Sequence, residues 1–167
     1  MASDSQFKTD ALKEIASYSY IPRTFAYLAG LAAIYSVFIS NGSGYLDNPW
    51  VMSFLFFTCL TWPHIAYLWA KRSQQVKKVV TNSLMFDSFF GGLWIPLMSF
   101  ELIPCAIFIT VFMMNNICAG GFKLFLKGLY FLVFAVTLSS LFVEPTFQHE
   151  SSLLVMLACI PMITLYP

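Results

Sequence analysis

Charge is scarce in this chain. Lysine and arginine number nine and aspartate and glutamate eight, together 10% of 167 residues, while apolar side chains make up 59%, aromatic ones 18% and the mean hydropathy is +0.74. So little charge against so much apolar surface excludes an ordinary soluble domain and points to a polytopic membrane protein. The net charge of +1 carries no implication of nucleic-acid binding, because the basic residues sit at the edges of apolar runs and not along one stripe. Cysteine is equally uninformative as a framework. Cys59, Cys105, Cys118 and Cys159 lie in or at the ends of apolar runs, with neither a CxxC pair nor histidine at metal-ligand spacing, which reads as small buried side chains and argues against a metal site. Histidine occurs twice, at His64 and His149. One intramembrane His and one intramembrane Asp fall short of a hydrolytic constellation, Ser88 points about 100° away from its neighbour Asp87 on a helix, and no catalytic residue or cofactor is expected.

What is present is a series of apolar runs near 24–40, 50–70, 82–100, 103–118, 122–143 and 151–167. Most approach the ~20 residues that carry a helix across the hydrocarbon, and within lipid only helices satisfy the backbone over such runs. The fold expected is an all-α, six-transmembrane-helix bundle spanning residues 23–167. Ahead of it, Phe7, Ala11, Leu12 and Ile15 share one helical face opposite Lys8, Asp10 and Lys13, so residues 1–22 read as a cytoplasmic segment carrying an amphipathic interfacial helix that ends near Pro22. Its mixed charges and the lack of a short apolar core exclude a signal peptide.

All nine basic residues fall before the first run, between the second and third, or around the turn between the fourth and fifth. Six helices with both termini in the cytoplasm place every one of them on the same side. The opposite turns hold Asp47, Glu101, Glu144, His149 and Glu150. The chain stops in or at the end of its sixth run, which suggests a natural continuation emerging in the cytoplasm.

The polar residues inside the runs gather toward the basic side. His64 lies seven residues before Lys71 and Asp87 nine after Lys78, so antiparallel neighbours joined by the turn at 71–78 bring both to one depth, ~10 Å from that turn. The two are expected to form a buried polar pair, because an intramembrane charge normally faces the bundle interior and finds a partner. Tyr67, Asn82, Asn115 and Asn116 join the same half. Interhelical hydrogen bonding and the floor of a ligand pocket or protonation switch are both open readings of the cluster. Gly91, Gly92, Gly120 and Gly121 are candidate sites of close helix packing, with room for a ligand as the alternative beside Asp87. Pro63, Pro96 and Pro161 would each release a helical carbonyl.

At these residues the chain resembles a known family. WPHIAYL (62–68), the basic turn, NSLMFDSFFGGLW (82–94) and MNNICAGG (114–121), in this order, are similar to the second membrane-associated sensor family, MASE type two, from about Arg23 to the end. The resemblance implies a bacterial inner-membrane sensory domain placed N-terminal to a cytoplasmic nucleotide cyclase, either a GGDEF diguanylate cyclase or a class III adenylate cyclase. No GGDEF-like or cyclase-like stretch is found within these residues, so the chain by itself is not expected to make a cyclic nucleotide. Paired catalytic domains imply a homodimer, held in the lipid bilayer and responding to a small ligand whose identity the residues do not give. A small transporter or channel and an inert dimerising anchor are the alternatives; no internal repeat supports the first.

Overall fold

The computed structural model describes the backbone of residues 2–143, 147–148 and 150–164, and side chains from Tyr20 onward within those ranges. The described residues form helices α1 (Ala2–Ser40), α2 (Pro49–Arg72), α3 (Val76–Leu97), α4 (Leu102–Ser140) and α5 (Leu153–Thr164). Tyr20–Ser40, Pro49–Arg72 and Leu102–Ser140 are long and apolar enough to cross a membrane.

α1 corrects one expectation. The helix does not end near Pro22 but runs through it without a break. A proline costs one helical N–H, and in a membrane helix water, side chains or small local adjustments can satisfy the freed carbonyl without ending the helix. The expected amphipathic face at residues 5–19 lies outside the described side chains. Beyond Pro22, small residues at Ala26, Ala29, Gly30 and Ala33 line the buried face and are followed by Val37, at the three- and four-residue spacing of a packing stripe. On this face α1 packs against α5 and α2.

Pro63 leaves a different mark. Without an N–H it cannot bond the carbonyl of Cys59, and over Phe57–Thr61 the helix widens to a π turn in which the Trp62 N–H reaches back to the Phe57 carbonyl. The wider turn shifts the rotational register of everything after it.

α4 is continuous in sequence but not in direction. Gly121 has φ 64° and ψ −161°, a region only glycine occupies without strain, and it breaks the helix into limbs at 102–120 and 122–140. The limbs fold back on each other. A Cβ built on Gly128 would stand 2.1 Å from Asn116 Nδ2, whereas residues twelve apart in an unbroken helix are separated by ~18 Å. The runs expected at 103–118 and 122–143 thus form one element with a glycine hinge.

Both limbs pack on α3, which the glycines permit. A Cβ at Gly91 would fall 2.1 Å from the Phe112 ring and one at Gly92 would fall 2.5 Å from the Leu132 carbonyl oxygen. Ser139 of the second limb donates to the Leu93 carbonyl at 3.0 Å. Ile34, Phe38, Leu55, Trp94, Met98 and Val155 fill the core at the end remote from the basic turns. Meanwhile Leu28, Ile39, Phe56, Leu60, Val133 and Phe134 are exposed, an apolar exterior around a partly polar interior, as a lipid-facing bundle requires.

One buried acid lies at that remote end. Glu101 opens α4, is only 1% exposed, and neither carboxyl oxygen has a hydrogen-bond partner among the described residues. Burial pushes its carboxyl above the ordinary carboxylate value, offset in part by the nearby Ser151 hydroxyl, which stands outside hydrogen-bonding geometry. A raised carboxyl pKa means that the folded state holds the proton more tightly than the unfolded one. Stability is therefore full below the unfolded value and declines as pH rises from there through the folded value. Glu101→Gln is expected to flatten the thermal stability between pH 4 and pH 8 and to raise the melting temperature at the upper end; an unchanged pH profile of melting would show that Glu101 is not the titrating group.

Candidate functional site

The centre of the polar half is Asp87. It sits on α3 one helical turn before the Gly91–Gly92 pair and is 3% exposed. Arg23 Nη2 lies 2.6 Å from both carboxylate oxygens, the Tyr27 hydroxyl donates to Oδ1 at 2.5 Å, and the Trp62 indole N–H donates to the same oxygen at 2.7 Å. Three helices thereby converge on one carboxylate. Arg23 and Tyr27 are four residues apart and so share a face of α1, while the π turn of α2 immediately precedes Trp62. Arg23 also donates from Nη1 to Ser83 Oγ at 3.2 Å, a residue one turn before Asp87. A carboxylate and a guanidinium that meet with additional hydrogen bonds offset each other's desolvation; either alone at this depth would be costly.

The expected His64–Asp87 pair does not form. His64 is exposed and its Nδ1 is hydrogen-bonded to the Tyr20 hydroxyl. The reason is rotational. Trp62 faces Asp87, and at 100° per residue His64 points ~200° away from it. The buried stripe of α2 instead runs Cys59, Trp62, Ala66 and Ala70. Tyr67 packs its ring against Tyr20 at 4.4 Å between centroids, with Lys71 Nζ 5.8 Å from the Tyr67 ring centre. His64, Tyr67 and Tyr20 thus form a separate aromatic cluster on the rim. Between it and the ion pair is a small cavity of about 30 Å³ bounded by Tyr20, Arg23, Pro63, Tyr67 and Ser83.

The two asparagines also separate. Asn116 is fully buried and donates from Nδ2 to Ser88 Oγ at 2.8 Å, at the point where Gly128 of the second limb comes closest. Asn115 is half-buried and faces a much larger space. This main cavity has a volume of about 630 Å³ and lies between α1, α3 and the first limb of α4. Gly30, Ile34, Phe90, Trp94, Phe108 and Phe112 form its apolar depth, while Arg23, Tyr27, Asp87 and Asn115 are polar residues on its wall. Lys77, Cys118 and Ala119 are exposed at its opening. Met162 of α5 completes the wall and is 3% exposed. The volume falls within the ~300–1,000 Å³ range of sites that take drug-sized ligands.

Of the packing glycines, Gly91 and Gly92 touch the limbs of α4; a Cβ at Gly120 would meet the Leu124 side chain at 2.7 Å, and Gly121 is a hinge with open space where a Cβ would go. In the sequence alone Arg23, Tyr27, Trp62 and Ser83 have no site role, and Ser88 is weighed only as a catalytic partner of Asp87. The signal available for the first two was an arginine and a tyrosine four apart on the same face as Ala26 and Gly30, at the start of an apolar run.

The family model of the MASE2 domain matches residues 18–110, a stretch that holds Arg23, Trp62, Asp87 and the glycine pair. The chain belongs to the MASE2 family. MASE2 is a regulatory membrane domain, which accords with the three long apolar helices. This MASE2 chain is similar to a protein described as a probable diguanylate cyclase, DgcC, from Escherichia coli K12, at 25% identity over 138 residues, and to its counterpart in E. coli O6:H1 strain CFT073 at the same identity. The match covers 83% of this chain and 37% of each relative, so the chain spans little more than a third of their length. No solved structure matches it.

Proposed function

We propose that this MASE2 chain is the sensory membrane module of a nucleotide cyclase, and that the state of the main cavity sets the output through α5. The observation that carries the reading is the position of Met162. It lies on α5 and walls the same cavity as Arg23, Asp87 and Trp94, so filling or emptying that space acts on the last helix of the chain. The relatives described as probable diguanylate cyclases favour cyclic di-GMP over cAMP as the product of the attached domain.

In this reading α1, α2, α3, the two limbs of α4 and α5 make six crossings of the bacterial inner membrane. Both termini lie in the cytoplasm, as the placement of all nine lysines and arginines favours. The module acts as a homodimer because a diguanylate cyclase joins two catalytic domains, and a change in α5 alters the spacing of the two exits. Repacking of the bundle, not chemistry within it, is the signal.

The test is to join the chain ahead of a diguanylate cyclase domain and measure cyclic di-GMP output in membranes. Leu84→Phe and Gly30→Leu add side-chain volume to the cavity wall. Both are expected to move output in the same direction by about 5- to 150-fold, the span of ordinary allosteric coupling. Leu60→Phe, on an exposed face of α2, is expected to leave it unchanged. Output indifferent to all three would contradict the reading.

A further inference from the structure

The hydrogen-bonding inventory of the main cavity is unbalanced, and the imbalance selects a ligand. Asp87 supplies the only carboxylate among the described lining residues, and its acceptors are largely committed. Oδ1 accepts from Arg23, Tyr27 and Trp62, and Oδ2 accepts from Arg23. At most one lone-pair site, on Oδ2, remains for a cationic or donor-rich ligand, and the charge is already neutralised by Arg23.

Donors are in surplus. Lys77, exposed at the opening, has no ion pair among the described residues. Thr81 and Asn115 also border the cavity, and no side-chain donation from either is made to another described residue. In formal charge the wall carries two cations, Arg23 and Lys77, against one anion, Asp87, which leaves one positive charge uncompensated at the mouth.

The space is long as well as apolar. From Lys77 to Trp94 the wall follows α3 for 17 residues, ~25 Å at 1.5 Å per residue. Below the level of Asp87 it is closed by Ile34, Phe90, Trp94, Phe108 and Met162. A compact polar metabolite would leave these aromatic and aliphatic surfaces without contacts, whereas a chain-like body covers them.

We propose that the cavity binds a single-chain amphiphile with a carboxylate head, seated at Lys77, Thr81 and Asn115 with its hydrocarbon body running inward past the Arg23–Asp87 pair toward Trp94. The inference rests on the reading of this cavity as the sensory site and names the chemical class of what it senses. A carboxylate accepts from the Lys77 ammonium and from the Thr81 and Asn115 donors, and cancels the extra charge at the mouth. An ammonium head of the same length meets the like charge of Lys77 and a carboxylate already neutralised by Arg23. A neutral hydroxyl head gains the apolar contacts without the charge.

Cys118 provides the readout. It borders the cavity and is exposed, whereas Cys59, Cys105 and Cys159 are buried. The experiment follows the rate of maleimide labelling of Cys118 in the full chain in lipid nanodiscs, titrated with dodecanoate, dodecanol or dodecylammonium. Dodecanoate is expected to slow labelling saturably at a concentration about tenfold lower than dodecanol needs, with dodecylammonium weakest. With each rate taken relative to the same protein's unliganded rate, Lys77→Gln is expected to bring the dodecanoate curve onto that of dodecanol. Equal protection by all three heads, or an order led by the ammonium, would overturn the carboxylate assignment and leave the cavity as a site for apolar ligands. Absence of saturable protection by any of them would overturn the assignment together with the sensory reading of the cavity.

Discussion

Asp87→Ala is expected to cost about 3–5 kcal/mol of stability, because it strands the Arg23 guanidinium at a buried position and leaves the Tyr27 hydroxyl and the Trp62 N–H without their acceptor. Most of that loss belongs to the stranded cation and not to an attraction that the pair adds over apolar packing. Two further variants separate these contributions. Asp87→Asn keeps an acceptor for Tyr27 and Trp62 and is expected to lose less than the alanine variant. The double variant Arg23→Met, Asp87→Leu removes both charges and is expected to recover most of the stability, as replacement of buried pairs by apolar side chains commonly does. Reversible unfolding in mixed micelles measures all three. Additive losses in the double variant would show that Arg23 and Asp87 do not depend on each other.

The second large effect is steric. Gly92→Ala places a Cβ 2.5 Å from the Leu132 carbonyl oxygen and 2.8 Å from the Ala135 Cβ. A backbone carbonyl in a helix cannot swing aside as a flexible side chain can, so α3 and the second limb of α4 must separate. The expected loss is about 1–3 kcal/mol, the usual range for overpacking, despite the better helix propensity of alanine. Gly44, in the loop before α2, has open space where a Cβ would go. Gly44→Ala is expected to be close to neutral in the same unfolding assay, and equal losses at the two positions would contradict the packing argument.

These sites show what could be read from residue order and what could not. The apolar runs marked the helices because the bilayer admits few alternatives. Asp87 was recognisable as buried and partnered because its charge is expensive in that setting, and Gly91–Gly92 as a point of close approach because small residues let helices meet. The choice of partner was not recoverable in the same way. Matching His64 to Asp87 by depth used only the rise along each helix. Rotation about the helix axis decides which side chains meet, and it turns Trp62 inward and His64 outward. A trace of that rotation is present in the small residues Ala66 and Ala70, four and eight positions after Trp62, whereas Pro63 signals a released carbonyl without specifying that the helix answers with a π turn at 57–61 and a changed register after it. Arg23 reads as a marker of topology because it stands at the edge of an apolar run. Its role follows from a contact 64 residues away in sequence, which no local pattern encodes.

Gly121 makes the same point from the other direction. Gly120 and Gly121 read alike as close-packing positions, with Lys123 and Lys127 marking the turn, yet the φ of 64° that reverses the chain lies on the second glycine only. Gly120 remains helical, and a Cβ there would collide with the Leu124 side chain. A pair that reads as one motif therefore divides into a packing position and a hinge.

The proposed output requires that the cavity beside Arg23 and Asp87 be mechanically joined to α5 through Met162. The most direct measurement is the distance between spin labels on Lys71, at the end of α2, and Thr164, at the end of α5, in lipid nanodiscs, compared between the unaltered cavity and Leu84→Phe. Both labelled positions are exposed, so labelling itself leaves the core intact. Mechanical coupling gives a shift of about 1–2 Å or more in the distance distribution, the scale of interface helix movements in switching proteins, and its reversal when Met162→Ala restores the lost volume. Superimposable distributions in all three proteins would contradict it.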